Sequence, residues 1–280
     1  MGALLSRRHR NSLRHKKERF EGKYCQLELL KEGTRSSVYA GYKRANKTAV
    51  AIKRLPNFIH FRNTKVKHEE VNVLQRLSSG RRRTPGRNLF LSLLDYYDLG
   101  DELILVLESP VPSVNLRDYI VGRGALPEDE AKLLFMQLVQ VALSLQMKGI
   151  CHRNINSDNI LIDTSTADVC LRLIGFGSAC FTGVTNKHAN YQGTPAYIPP
   201  EVFHCGIYQP GQITVWQMGV VLYEMIHGDM TFETLRFLNK QLKIDDRLSS
   251  GCKDVLHKCL AEEPEERLTL DQLNFHSWMA

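Results

Sequence analysis

The sequence lacks any uninterrupted apolar run of the ~18 residues that a membrane-spanning helix requires, so no transmembrane segment is expected. No apolar stretch follows the start of the chain, and no secretory signal is expected either. Cysteine is scarce and scattered. Seven Cys fall at 25, 151, 170, 180, 205, 252 and 259, with no Cys-x-x-Cys among them. An odd, dispersed set argues against a disulfide framework and a zinc ribbon, and implies reduced thiols in the cytoplasm, with the nucleus as the alternative. Acidic residues are nearly missing from positions 1–20, which carry seven Lys or Arg against one Glu. The rest of the chain supplies only +1 of the net charge of +7. A nucleic-acid-binding domain spreads its basic residues over a folded face, so no nucleic-acid partner is expected.

What is present changes character along the chain. Residues 1–22 are polar, basic and without sustained period, which predicts a disordered tail. From Tyr24 to Glu108, YCQLELL, SSVYAGY, TAVAIKRL, FLSLLDYY and ELILVLE read as five strands. Between the third and fourth, VKHEEVNVLQRL places Val66, Glu70, Val73 and Leu77 at helical spacing. Beyond Pro112 the pattern is helical. NLRDYIVGRG is short. PEDEAKLLFMQLVQVALSLQMKG is long, with Pro127 and three acids at its start and Gly149 after its end. ITVWQMGVVLYEMIHG, SSGCKDVLHKCLA and LTLDQLNFHSWM are further helices, and NILID and VCLRLI are short strands. This predicts an α+β domain over 23–280, with a strand-rich lobe at 23–109 and a mainly helical lobe at 110–280.

Ordered motifs lie on that frame. VAIK (50–53) sits on the third strand, HRN…N (152–159) follows the long helix, GFG (175–177) and PPE (199–201) bracket a segment of little regular pattern, and Arg267 lies near the end. LESPVP (107–112), GRGAL, LIGFGSA, GTPAYIPPE and VWQMG accompany them. In this order they resemble a protein kinase across residues 24–278, and the PIM family of serine/threonine kinases in particular. The resemblance implies a bilobal protein kinase fold. It implies a nucleotide-facing set of Gly33, Val38, Ala51, Lys53, Glu70, Glu108 and Pro110. Lys53 would hold phosphates and pair with Glu70, with Glu69 as the rival. Pro110, without an N–H, would deny adenine one backbone donor. Glu201 would pair with Arg267, and Leu74, Leu93, Phe176 and His152 would stack as an apolar column. Asp158 and Asp118 would attract a basic peptide.

The departures from the family pattern fall on the chemistry. In KEGTRSSV (31–38), Lys31 and Ser36 replace the outer glycines of a phosphate loop, and Gly33 remains. Asn154 stands where the family has its catalytic Asp; an amide accepts a hydrogen bond from a hydroxyl but takes no proton. Asn156 removes a cation. Gly175 removes the carboxylate that holds Mg²⁺, and Asn159 remains as a lone neutral ligand. One such loss commonly lowers rate by roughly 10²–10³. The expectation is a pseudokinase acting by binding or scaffolding, with weak ATP binding and no normal Mg²⁺ site. The alternative is an active serine/threonine kinase with atypical metal use, in which Asp158, Asp163 or Asp168 substitutes.

Two further patterns stand apart from the resemblance. MGALLS fits N-myristoylation at Gly2, and RRHRNSLRHKK follows at once. A single acyl chain with a polybasic patch binds anionic membranes; the plain alternatives are a solvated tail or a nuclear-import signal. Ser178, Thr182 and Thr185, near Arg153, and Thr84 in RRRTP are hydroxyls in phosphosite-like settings, read otherwise as ordinary loop residues.

Overall fold

The computed structural model describes residues 7–33, 35–56, 64–79, 89–109, 112–164, 169–183, 188–189, 191–228 and 232–280. Gly2, Thr84, Pro110, Asp168 and Thr185, singled out above, lie outside them. The chain divides into two compact units, Met1–Arg83 with Leu91–Val111, and Thr84–Phe90 with Pro112–Ala280. Leu89 and Phe90 belong with the second unit: the Leu173 N–H donates to the Leu89 carbonyl (3.0 Å), and Phe90 bridges Leu173 in parallel.

The first unit carries a five-stranded antiparallel sheet in the order β1-β2-β3-β5-β4. Its strands are β1 (Tyr24–Glu32), β2 (Ser37–Lys43), β3 (Ala49–Pro56), β4 (Leu93–Asp98) and β5 (Glu102–Glu108). Alternating Val50, Ile52, Ile104 and Val106 are buried with Tyr24 and Tyr97 on one face. Helix α2 (Thr64–Ser78) connects β3 to β4 and buries Val71, Val73, Leu74 and Leu77.

The N-terminal stretch departs from the sequence reading. Arg7–Lys23 is a 17-residue helix, α1, rather than a disordered tail. Its composition is basic, yet Leu13 and Phe20 stand seven residues apart and so share one face. Phe20 is buried among Tyr24 and Tyr97, with ring centroids 6.0 and 5.4 Å away. Two of its basic side chains find partners on the sheet. Lys23 Nζ donates to Asp95 Oδ2 (2.6 Å) and Lys16 Nζ to the Asp98 carbonyl (3.3 Å). Burial works against ionisation of Asp95, but hydrogen bonds from Lys23 and Tyr97 prevail and hold its carboxyl below the usual range.

The second unit is mainly helical. Helices α3 (Leu116–Arg123) and α4 (Glu128–Met147) lead to β7 (Ile150–Cys151); β6 (Ser113–Asn115), β8 (Ile160–Asp163) and β9 (Cys170–Leu173) form a small sheet ordered β6-β8-β9. β10 (Cys180–Phe181) pairs with β7, and β11 (His188–Ala189) with β12 (Ile207–Tyr208). Helices α5 (Pro200–Cys205), α6 (Pro210–His227), α7 (Thr234–Leu238), α8 (Ser250–Cys259) and α9 (Leu270–Asn274) complete it. α6 is buried along most of its length, from Ile213 to Ile226. The last expected helix is shorter than its pattern. A capping box of Thr269 and Gln272 starts α9, and Ser277–Met279 is a separate 3₁₀ turn.

Glu128 ties three of these pieces together. Its carboxylate accepts from the Ser249 N–H (3.0 Å), the Ser249 hydroxyl and Trp278 Nε1 (2.8 Å). Partial burial opposes ionisation, but these donors outweigh it and lower the pKa below its usual 4.5. A lowered folded pKa contributes stability that is present above the unfolded value and lost as pH falls through the folded one. Glu128→Gln keeps one acceptor oxygen and loses the charge. It should destabilise by about 1 kcal/mol at neutral pH, and the difference should shrink as pH falls below the unfolded value and vanish only below the lowered folded pKa. Urea titrations of both proteins at several pH values measure it.

Candidate functional site

In the first unit, VAIK lies on β3 as read, with Val38 opposite Lys53 and Ala40 opposite Ala51. Lys53 Nζ donates to Glu70 Oε1 (2.7 Å), with side-chain exposures of 12% and 4%. Glu70, rather than Glu69, is thus the partner. Glu70 Oε2 is buried without a hydrogen-bond partner among the described residues. Glu108 ends β5 and exchanges bonds with Ser92: its N–H donates to the Ser92 carbonyl (2.9 Å), and its Oε2 accepts from the Ser92 N–H (3.3 Å). At the β1–β2 tip the Gly33 N–H donates to the Ser36 carbonyl (2.9 Å). The retained glycine therefore spends its N–H closing the hairpin.

In the second unit, Asn154, Asn156 and Asn159 converge on one loop between β7 and β8. Asn154 Oδ1 accepts three hydrogen bonds, from the Thr194 N–H (2.9 Å), the Thr194 hydroxyl (2.9 Å) and Asn156 Nδ2 (3.0 Å). Because a backbone N–H can only donate, the atom facing Thr194 is the oxygen, and Nδ2 lies on the other side of the amide. The acceptor expected to meet a substrate hydroxyl is thus already taken by Thr194 and Asn156. The amide oxygen is saturated, and the remaining atom is a donor.

Asn156 takes a part in the loop that its sequence position did not reveal. Its Nδ2 also donates to Thr194 Oγ1 (2.9 Å), and its Oδ1 accepts from the Asn159 N–H (3.0 Å), capping the 3₁₀ turn Ser157–Asn159. An amide can donate and accept at once, whereas an ammonium can only donate. Asn159 Nδ2 in turn donates to the Asn154 carbonyl (2.9 Å). Gly175 adopts φ +80°, and a Cβ there would lie 2.3 Å from Asn159 Oδ1. The Asn159 side chain has therefore closed over the position where the family carries a carboxylate. Among the described residues, no group of three or more His, Cys, Asp or Glu gathers to hold a metal.

The frame around this loop is intact. His152 Nε2 bonds the Ile174 carbonyl (2.9 Å), and its ring meets Phe176 edge-on at 4.9 Å. Leu74 is buried within the first unit. Arg153, at φ +64°, donates from Nε to the Ser178 carbonyl. Ser178 is buried and gives its hydroxyl to the Gln192 carbonyl (2.9 Å), which makes it part of the packing rather than an exposed phosphosite. Arg267 and Glu201 form the expected fork, Nη1 to Oε1 at 2.9 Å and Nη2 to Oε2 at 2.7 Å. Asp158 is half-buried. Asn115 caps α3 by accepting from the Asp118 N–H (2.8 Å), and Asp118 Oδ2 accepts in turn from Asn115 Nδ2 (2.6 Å), which holds the capping side chain.

Two polar residues of α6 escaped the sequence reading. Gln217 spans the loop, its Nε2 donating to the Arg153 carbonyl (2.9 Å) and its Oε1 accepting from the Ile155 N–H (3.0 Å). Glu224 is fully buried and takes the Tyr197 hydroxyl. Burial pushes its carboxyl up to about 7, against the Tyr197 hydroxyl and the nearby Ser157. Ser157 Oγ lies near enough to favour the charged form without meeting hydrogen-bond geometry, so it and Glu224 Oε2 both lack a partner among the described residues. The available signal was their place in a helix otherwise apolar from Val215 to Ile226.

Comparison with known proteins agrees with this geometry. The protein kinase domain family matches residues 24–279. The serine/threonine-protein kinase pim-2 of Danio rerio is 34% identical over 271 residues, covering 94% of this chain and 86% of that protein. The serine/threonine-protein kinase prk-2 of Caenorhabditis elegans is 31% identical over 194 residues, 68% of this chain and 43% of its own length. The probable serine/threonine-protein kinase MARK-B of Dictyostelium discoideum is 29% identical over 278 residues, 95% of this chain and 37% of its own. The chain thus spans most of the first and less than half of the other two.

Proposed function

The chain belongs to the protein kinase domain family, with PIM-type serine/threonine kinases among its relatives, and from that premise we propose that it is a pseudokinase that acts in signalling by binding. The observation that carries this reading is the Asn154 amide. Its oxygen is spent on Thr194 and Asn156, and Nδ2 remains where a base would be needed. General-base catalysis needs an acceptor within reach of the hydroxyl proton; a second donor there opposes the chemistry. Gly175 adds the loss of the metal carboxylate. Nucleotide then binds weakly, with Lys53 as the main phosphate contact and with little gain from Mg²⁺. Basic peptide segments reach the loop through Asp158 and Asp118. Acylation of Gly2 with the basic stretch favours an anionic membrane surface, in a protein of the cytoplasm.

The intact Lys53–Glu70 and Glu201–Arg267 pairs favour the second reading, a working kinase with unusual metal use. One experiment separates the two. Purified protein is assayed for Mg²⁺-dependent transfer from ATP to a basic peptide, with Lys53→Ala as the control for a contaminating kinase. The expected result is no transfer above that control, and a thermal shift with ATP that is small and equal with and without Mg²⁺. Robust transfer that Lys53→Ala abolishes would establish the second reading.

A further inference from the structure

Cys151 ends β7, immediately before His152, and Cys180 opens β10, three residues after Gly177. The two are Cα partners in an antiparallel pair. Directly opposed residues of such a pair project to the same side, with Cα atoms about 4.5–5.5 Å apart. A disulfide needs about 4.4–6.8 Å. Neither is in a disulfide and both are buried; both lie in one cluster with Tyr208 and Ile213, and the Cys151 thiol donates weakly to the Pro210 carbonyl (3.9 Å). A cavity of about 380 Å³ has Cys151, His152, Thr182 and Thr214 on its wall, so one of the two cysteines borders space large enough for a small oxidant. The other cysteines lack this placement. Cys252 and Cys259 are seven residues apart on α8, about 10 Å along the axis, beyond disulfide reach. Cys205 is exposed on α5, Cys170 faces Asp163 across β8 and β9, and Cys25 faces Tyr42 across β1 and β2.

We propose that Cys151 and Cys180 are a peroxide-sensitive pair that closes into a reversible disulfide, stapling the loop of Asn154 to the segment that follows Gly177. The thiolate of one attacks a peroxide oxygen, breaking the O–O bond and giving a sulfenic acid and water. The sulfur of the other then displaces the sulfenic oxygen as a second water. In sum, two thiols and one peroxide give one disulfide and two waters. Burial first, and then the neighbouring Cys180, push the Cys151 thiol up to about 12. Its thiolate is scarce, so the pair reacts after exposed Cys205 and reports sustained rather than brief oxidation.

The test uses the full chain carrying Cys205→Ser. It is held in hydrogen peroxide, alkylated under denaturing conditions and mapped by peptide mass spectrometry. The expected result is a cross-linked peptide joining residues 151 and 180, with both positions protected from alkylation. The melting temperature should rise by about 3–5 °C, and dithiothreitol should reverse the rise. The rise should be missing in Cys180→Ala; where that variant does not fold, the peptide map of the parent decides alone. Full alkylation of both thiols, under peroxide that oxidises Cys205 in the native chain, overturns the proposal. So does a cross-link that joins either cysteine to another partner.

Discussion

The triple variant Asn154→Asp, Asn156→Lys and Gly175→Asp should transfer phosphate from ATP to a basic peptide at least about 10²-fold above the native chain. Each change supplies a missing part. A carboxylate at 154 keeps the Thr194 donors on one oxygen and turns the second, now an acceptor, to where Nδ2 stands. Lysine at 156 restores a cation, and aspartate at 175 restores a metal ligand. Single changes should do little, because residues that act as a unit are strongly non-additive. They should also carry structural penalties. Asn156→Lys removes the side-chain acceptor of the Asn159 N–H and leaves it only the Asn156 carbonyl (3.0 Å), a cap worth up to about 1 kcal/mol. Gly175→Asp must place a Cβ where Asn159 Oδ1 stands 2.3 Å away, at φ +80°. Aspartate tolerates that backbone better than most residues. Asn159 must therefore turn, giving up its bond to the Asn154 carbonyl. The single variant should melt lower than the native chain, and the triple no lower than the sum of its parts. Lys53→Ala in every background verifies that the activity belongs to the chain. A folded triple variant with no Lys53-dependent transfer would place the remaining defect in the β1–β2 tip, where the Gly33 N–H is bonded to Ser36.

The strands were legible because their signal is local: alternating β-branched residues such as Val50 and Ile52 have one face to bury, and short range suffices to read it. The loop asparagines were legible as departures but not as a network. Thr194 lies 38 residues from Asn156, and no local pattern announces that one amide will donate to Thr194 while accepting from Asn159. α1 was misread for the opposite reason. Charge dominates its composition, and only two apolar anchors, Leu13 and Phe20, hold it to the sheet. Composition averages over a helix, whereas docking depends on one face. Gln217 shows the same limit: its apolar neighbours declare a buried helix, but its polar atoms are explained only by the backbone of Arg153 and Ile155, more than 60 residues away.

The largest loss of stability should come from Arg267→Ala, about 3–5 kcal/mol. Both Arg267 and Glu201 are buried, with side-chain exposures of 0% and 9%. The guanidinium fills its donor set: besides the fork to Glu201 it donates from Nε to the Ala261 carbonyl (2.9 Å), from Nη1 to the Gln212 carbonyl (3.2 Å) and from Nη2 to the Glu262 carbonyl (3.3 Å). Its carbon lies 4.9 Å from the centre of the Trp216 ring. Removing it strands a carboxylate away from water and leaves backbone acceptors open, which is why breaking a buried pair is severe even where the pair itself adds little. Arg267→Lys should recover only part of the loss, since an ammonium cannot reproduce a planar fork. The double change Glu201→Leu with Arg267→Met separates charge from packing. Should the penalty come from the stranded carboxylate, the double variant will be more stable than Arg267→Ala. Should it come from lost packing on Trp216 and from the open carbonyls of Gln212 and Ala261, it will be no better. Urea unfolding with an unchanged slope measures all four proteins. A shift under ~1 kcal/mol for Arg267→Ala would mean that water reaches Glu201 in the variant, and that the segment from Pro199 to Cys205 is held by its apolar contacts instead.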